Sequence, residues 1–313
     1  MTLQIVSGTA HRALAEAAAG LLGLQLSPCL IDRFPDGELR PQLACLRGAD
    51  VYVIAPTAPA VNEHVVELLL LLDACRRCDA ARITAVMPYF GYARQDRRSR
   101  TGEPVGARVV SDALVTAGAQ RLVVVDPHTL ALEAMCTVPV EMLTAVPTLV
   151  TALASSVSPG AVVVAPDRGA IRLAEHYATL LDTSVAVVRK TRKSPTQVRA
   201  EELTGDVGGR AVIIVDDMIT TGATIEAAAR ALLDHGARPE MIVAATHSLL
   251  IDPAAERLAA LPLSAVFVTD SVAQQETTPA LPVQVHSIAP LLADAVGRLH
   301  RDQALDDLLM IQP

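Results

Sequence analysis

Short runs of β-branched residues and alanine recur along this chain, and each is followed by a longer stretch in which Ala and Leu return at helical spacing. The runs at 3–6, 51–55, 83–87, 122–126, 161–165, 185–188, 212–216, 241–246 and 265–269 read as buried strands. Between them, 9–23, 62–77, 104–117, 168–181, 224–235 and 253–260 read as helices, and 289–309 reads as a closing helix. Such alternation predicts an α/β architecture, with mainly parallel sheets flanked by helices on both faces. Two stretches look alike: LVVVDPH at 122–128 and IIVDDM at 213–218 are both apolar strands running into acid at a turn. A duplicated α/β domain is therefore expected, with its boundary near 146–152, giving domains 1–147 and 148–313. The closing helix would pack back on the first domain. Ligands should gather at the C-terminal ends of the strands.

The most informative stretch is 211–224, AVIIVDDMITTGAT. An apolar strand meets Asp216 and Asp217, and Thr220, Thr221, Gly222, Ala223 and Thr224 then open a helix. Small residues let backbone N–H groups approach an anion, hydroxyls add donors, and the helix N-terminus supplies its positive dipole end. The two carboxylates do not suit a phosphate. They suit neighbouring hydroxyls, such as those of a ribose, or a bridging metal. Phosphate and diol side by side describe a sugar phosphate.

Composition narrows the setting. The 313 residues are enough for two ordinary domains, 51% of them are apolar, and with no Trp and three Phe the core must be Ala, Val and Leu. A formal charge of −8 argues against non-specific nucleic-acid binding. The odd, scattered cysteines at 29, 45, 75, 78 and 136 point to free thiols in a reducing cytoplasm. No signal peptide is expected, since no basic segment precedes the first apolar stretch. The apolar run near 65–72 contains Glu67 and is too short to span a bilayer, so no membrane association is expected.

Three further stretches carry chemistry. PYFGYARQDRRSRTGEP at 88–104 follows a strand and holds Arg94, Arg97, Arg98 and Arg100 among aromatics. Arginine forks bind phosphate oxygens bidentately, and arginine and aromatic planes stack on a purine. A solubilising face would not need its interleaved Gly, Pro and aromatic residues. VRKTRKSPTQV at 188–198 holds both lysines of a chain that otherwise meets every need for a cation with 24 arginines. Lysine offers a compact, mobile ammonium, so Lys190 is read as functional and Lys193 as a surface residue. The stretch is polar, contains Ser-Pro and is expected to be a mobile loop. APDRGA at 165–170 places Asp167 where a strand ends and a helix begins, a second anion or metal corner. RFPDGE at 33–38 is ordinary turn chemistry by itself, and His128, after Asp126-Pro127, is by itself an ordinary strand-end histidine.

In this order the motifs resemble the ribose-phosphate pyrophosphokinase family, also called phosphoribosyl diphosphate (PRPP) synthases, over about residues 6–292. VDDMITTGAT is shared with many phosphoribosyltransferases, whereas PYFGYARQDRR and FPDGE are more specific to the synthases. The resemblance implies two tandem phosphoribosyltransferase-like domains. It also implies diphosphoryl transfer from Mg-ATP to the C1 hydroxyl of ribose 5-phosphate, in a homo-oligomer of at least two subunits. Asp36, Gly37 and Glu38 then match the turn that contacts adenine from a neighbouring subunit, and Arg94 and Gln95 match the ATP pair. His128 and Asp167 match positions that help hold Mg²⁺. Since Mg²⁺ prefers oxygen ligands, His128 is expected to act on a phosphate or through water. Lys190 and Arg192 match the mobile catalytic pair. Asp216, Asp217 and residues 220–224 match the ribose 5-phosphate site, with Arg192 beside it.

Two positions depart from the common bacterial pattern, Asp-Thr-Gly-Gly-Thr at 220–224. Thr220 replaces a carboxylate, which together with TGEP, APDRGA and KTRKSPT resembles the archaeal-type branch. Ala223 replaces a glycine, and its Cβ is expected to restrict positive φ and close phosphate approach. Two rival readings follow: a phosphoribosyltransferase that consumes PRPP, and a weakly active, synthase-like regulatory subunit.

Overall fold

The computed structural model describes residues 1–191, 200–274 and 281–310. The chain divides into two compact units. The first is Met1–Thr144, with Ser271–Ala273 and the segment from Ser287 onward. The second is Ala145–Asp270 with Gln274–His286.

In the first unit, β1 (Leu3–Ser7), β4 (Asp50–Ile54), β5 (Arg82–Met87), β6 (Arg121–Val125) and β7 (Val140–Leu143) form a parallel sheet in the order β1-β4-β5-β6-β7. Up to Thr144 the other elements are α1 (Arg12–Leu21), α2 (Val61–Arg77), α3 (Gly106–Ala117), α4 (Leu132–Met135) and the separate hairpin β2 (Cys29–Arg33) and β3 (Leu39–Leu43). Alternate strand residues decide which face meets which helix. Val51, Val53, Ala85, Met87, Leu122 and Val124 pack with Leu68, Leu71 and Leu72 of α2 and with Ala107, Val110 and Leu114 of α3.

In the second unit, β8 (Val162–Ala165), β9 (Ser184–Thr191), β10 (Ala200–Thr204), β11 (Val212–Ile219), β12 (Met241–Ser248), β13 (Leu263–Thr269) and β14 (Val283–His286) form one sheet. Its order is β10-β9-β8-β11-β12-β13-β14, parallel except for the edge pair β9–β10. With α5 (Val146–Leu153), α6 (Ile171–Leu181), α7 (Ala223–Asp234) and α8 (Ala254–Ala259), the sheet is covered on both faces. Val162, Val164 and Ile214 pack with Ile225 and Leu232 of α7. Their neighbours Val163, Ala165, Ile213 and Val215 point the other way, to Leu149 of α5 and Tyr177 of α6. A strand wet on neither face reads as a continuous apolar run, and for this reason the central parallel strands were visible in the sequence, whereas the short, half-polar edge strands β7 and β14 were not.

Three features of the fold add to or correct the sequence reading. The stretch around the expected boundary, Val146–Leu153, is helix α5, with Val146, Leu149 and Leu153 buried. The closing helix, expected over 289–309, is α9 (Ala289–His300) and stops nine residues early. Beyond it Asp302 takes left-handed backbone, and the Gln303 N–H caps the Arg298 carbonyl at 2.8 Å. The tail then runs beside β7, where the Thr144 and Leu308 backbones bond at 2.9 Å and those of Met310 and Met142 at 2.8 Å. This end of the chain is tied to the sheet through charge. Buried Asp50 accepts from Arg82 (2.6 Å) and bonds His300 Nδ1 (2.7 Å), while the other nitrogen of Arg82 reaches Asp302 (2.8 Å). The third feature is the β2–β3 ribbon, of which only the turn was visible. Its strands are five residues each and nowhere fully buried, so they lack the continuous apolar run that marks the sheet strands.

Candidate active site

In the first unit the loops after β5 and β6 leave the sheet side by side, because Met87 pairs with Val124. The loop after β5 is the arginine loop. Its first turn is fixed by buried Thr57, whose hydroxyl accepts from the Gly91 N–H (2.7 Å) and donates to the Tyr89 carbonyl (3.1 Å). A Cβ on Gly91 would stand 2.7 Å from the Thr57 carbonyl, so only glycine passes here. Tyr92 follows with φ +70°, its hydroxyl bonded to Asn62 (2.5 Å). This strained step carries the chain out to Arg94 and Gln95, both exposed. Gln95 sits against the start of α3, where the Ala107 N–H bonds its carbonyl at 3.2 Å. At the far end Glu103 gathers the N–H groups of Ser99 and Arg100, each at 2.8 Å. Beside this loop, Asp126 follows β6 directly with φ +38° and is buried, two residues before exposed His128. Both loops thus carry a non-glycine residue in left-handed backbone, Tyr92 and Asp126.

The Asp36-Gly37-Glu38 turn is exposed throughout. It closes the β2–β3 hairpin through Gly37 N–H to Phe34 O (2.9 Å) and Glu38 N–H to Asp36 Oδ1 (3.1 Å). The described hydrogen bonds of Asp36 and Glu38 stay within the hairpin.

In the second unit β8 lies between β9 and β11, so one edge collects Asp167, the strand carrying Lys190, the acidic pair and the loop after it. The acidic pair is not at the end of its strand, as the sequence suggested. β11 continues to Ile219 against β12, while β8 pairs only with 212–214. Asp216 and Asp217 therefore occupy the stretch of β11 that has lost one neighbour. The Asp217 N–H bonds Asp216 Oδ1 at 3.0 Å. Burial, then the charge and hydrogen bonding of Asp217, then the charge of Asp167, hold the Asp216 carboxyl well above the usual range. Asp167 Oδ1 accepts from the Gly169 N–H (2.8 Å) and more weakly from Ala170 (3.3 Å), shaping the entry to α6. Among the described residues, no three His, Cys, Asp or Glu side chains converge as a preformed metal cage. The donor set instead suits an oxygen-seeking divalent cation held by one or two carboxylates together with ligand phosphates and water.

The loop after β11 answers the backbone part of the concern about Ala223. Gly222 is the residue in left-handed backbone (φ +71°), at the N-cap of α7. Ala223 is the first helical residue, exposed and outside the positive-φ set, so its Cβ imposes no backbone strain there. A Cβ on Gly222 would lie 3.2 Å from Leu258 Cγ as well as imposing φ strain. Gly222→Ala is therefore expected to destabilise the protein by roughly 1–2 kcal/mol, read by denaturant unfolding, and Ala223→Gly by much less.

Lys190 lies in β9, paired in register with Glu201 of β10, and Arg192 lies outside the described residues. Sequence reasoning missed Thr57, Glu103 and Arg257. Thr57 and Arg257 act on segments more than 30 residues away, Arg257 by donating to the Thr221 carbonyl, and no local pattern marks such pairs.

Residues 3–118 match the model of the N-terminal domain of ribose phosphate pyrophosphokinase, and residues 140–263 match the phosphoribosyl transferase domain. Curated relatives named ribose-phosphate pyrophosphokinase are similar over nearly the whole chain. That of Aquifex aeolicus is 38% identical, covering 98% of each chain. That of Staphylococcus aureus strain Mu50 is 37% identical, covering 98% of this chain and 97% of the relative. The solved structure of phosphoribosylpyrophosphate synthetase from Mycobacterium smegmatis superposes with a TM-score of 0.89 at 36% identity, covering 96% of this chain and all (100%) of that one.

Proposed function

The chain belongs to the ribose-phosphate pyrophosphokinase family, and from that premise we propose that it transfers the diphosphoryl group of Mg-ATP to the C1 hydroxyl of ribose 5-phosphate, releasing AMP and forming PRPP. The observation that carries this reading for the chain's own residues is the second unit's strand edge. Paired carboxylates stand there beside a helix-opening loop of small and hydroxyl residues. A diol and a phosphate on one ligand match those two features.

Thr220, Thr221, Gly222, Ala223 and Thr224 hold the 5-phosphate through backbone N–H groups, hydroxyls and the N-terminal end of α7. Asp216, with Asp217, orients the ribose hydroxyls, which brings the C1 oxygen into line with the β-phosphorus. Arg94 and Gln95 hold ATP, and the exposed Asp36-Gly37-Glu38 turn meets the adenine of a neighbouring subunit, which makes the working protein at least a dimer. Asp167 is the carboxylate for Mg²⁺, and His128 meets the ion's water or a phosphate. The metal, when bound, supplies charge neutralisation on the polyphosphate. Lys190 and Arg192 close on the β-phosphate as negative charge grows on its oxygens. No described helix is long and apolar enough to cross a membrane, and five free thiols suit a reducing cytoplasm.

The test is direct. With Mg-ATP and ribose 5-phosphate, AMP and PRPP should form in equal amounts and only when both substrates are present. Pyrophosphate release from PRPP on adding a nucleobase, without AMP formation from ATP, would instead identify a phosphoribosyltransferase. Absence of both activities across divalent metals and phosphate concentrations would identify a regulatory subunit.

A further inference from the structure

We propose that Arg257 is a positioning residue for the 220–224 loop: it holds the loop's carbonyl side, so that the opposite N–H side is presented to the 5-phosphate. The inference rests on reading this loop as the phosphate cradle. Three successive carbonyls of the chain entering the loop are engaged by one downstream segment. The Ile219 carbonyl accepts from the N–H groups of Leu249 (3.0 Å) and Leu250 (3.1 Å), and the Thr220 carbonyl from that of Ile251 (3.0 Å). The third, on Thr221, accepts from the Arg257 guanidinium. In a trans peptide the N–H of the next residue points opposite to the carbonyl, and none of these bonds is cis. With carbonyls 219, 220 and 221 all turned toward 249–257, the N–H groups of Thr220, Thr221 and Gly222 point away from it together. Convergent N–H groups of this kind make an anion-binding concavity.

Arg257 is the side chain that hydrogen-bonds the loop's carbonyl side among the described residues, and it has a second task. Its Nε pairs with Glu226 at 2.8 Å, and both side chains are about three-quarters buried, with 27% and 24% of their surface exposed. Glu226 stands in the first turn of α7, where an uncompensated carboxylate would repel a phosphate dianion at the helix N-terminus. Arg230 also pairs with Glu226 but is 71% exposed, so solvent screens it more strongly. Losing Arg257 therefore releases one carbonyl of the loop and uncovers a like charge beneath the ligand. Packing of Leu258, the next residue, against Gly222 keeps the same segment seated under the loop.

Steady-state kinetics of the full-length enzyme, varying each substrate in turn, test this. Arg257→Ala should raise the KM for ribose 5-phosphate about tenfold, leave the KM for Mg-ATP within about twofold, and shift Tm by only a few degrees. Arg257→Lys should show a smaller rise, because an ammonium still offsets Glu226 but cannot bridge two acceptors. Arg257→Met, which keeps the aliphatic stem, takes the place of the alanine variant if the latter does not fold. Thr224→Val serves as the control for the loop itself. An unchanged ribose 5-phosphate KM in a folded Arg257 variant, alongside a raised one in Thr224→Val, overturns the positioning role and leaves the cradle standing. No change in either variant removes the cradle reading and the proposal with it. An equal rise for both substrates overturns the proposal by showing a general disturbance.

Discussion

Replacing Lys190 with alanine is expected to lower turnover by roughly 10³–10⁵-fold, the effect of removing a cation that closes on a transferring phosphoryl group. The expectation rests on a choice of residue type. The chain uses 24 arginines and two lysines, and both lysines stand within four residues of one another, at 190 and 193. Lys190 belongs to β9, next to β8, which ends at the Asp167 corner, and Arg192 follows two positions later. A compact ammonium can follow the β-phosphoryl group as it passes from AMP to the C1 oxygen, whereas a planar guanidinium demands a fixed fork geometry. Lys190→Arg should therefore recover only a small part of the lost rate. Rapid-quench or steady-state measurement of AMP, with circular dichroism to show an intact fold, checks both variants. A Lys190→Ala enzyme within tenfold of the parent would exclude the role.

Asp216→Asn is expected to cut kcat/KM about 10²-fold, as a misoriented nucleophile does, and at the same time to raise Tm at neutral pH. The two effects have one origin. Burial, then Asp217, then Asp167 disfavour the ionised Asp216 carboxyl. An acid whose folded pKa lies above its unfolded value weakens the fold once it ionises. The parent should thus lose stability as pH rises from the ordinary carboxylate range through the raised folded pKa. The asparagine variant lacks that loss, so its Tm advantage is greatest at neutral pH and shrinks on acidification. Added divalent cation should narrow the gap by stabilising the parent more. Thermal unfolding across pH, with and without Mg²⁺, reads all of this. A variant that is slow yet no more stable would show that the corner carries no charge strain.

The α/β class was legible because its strands are wet on neither face, and runs such as Val162–Ala165 leave no polar position to obscure them. The Cys29–Arg33 and Leu39–Leu43 ribbon was not, since its stability comes from what it packs on rather than from its own pattern. The tail after His300 was misread as helix. Nothing local shows that Asp302 and His300 will find Arg82 and Asp50, which are more than 200 residues away. The candidate site divides in the same manner. Thr-Thr-Gly-Ala-Thr announces a loop opening a helix, but which small residue must take positive φ depends on where the helix begins. That residue is Gly222 and not 223.

By itself the sequence determined most of the buried strands and helices and the residue classes on the loops that follow them, because burial periodicity and turn chemistry are local. It also carried the family, since whole motifs survive in order. The tertiary structure alone decided that β11 runs on past β8 and exposes its acids to Asp167. It alone set Thr57 under the arginine loop and Arg257 behind the 220–224 loop. Those arrangements depend on strand neighbours and on hydrogen bonds between distant segments, and distance along the chain is the one property a local pattern cannot encode.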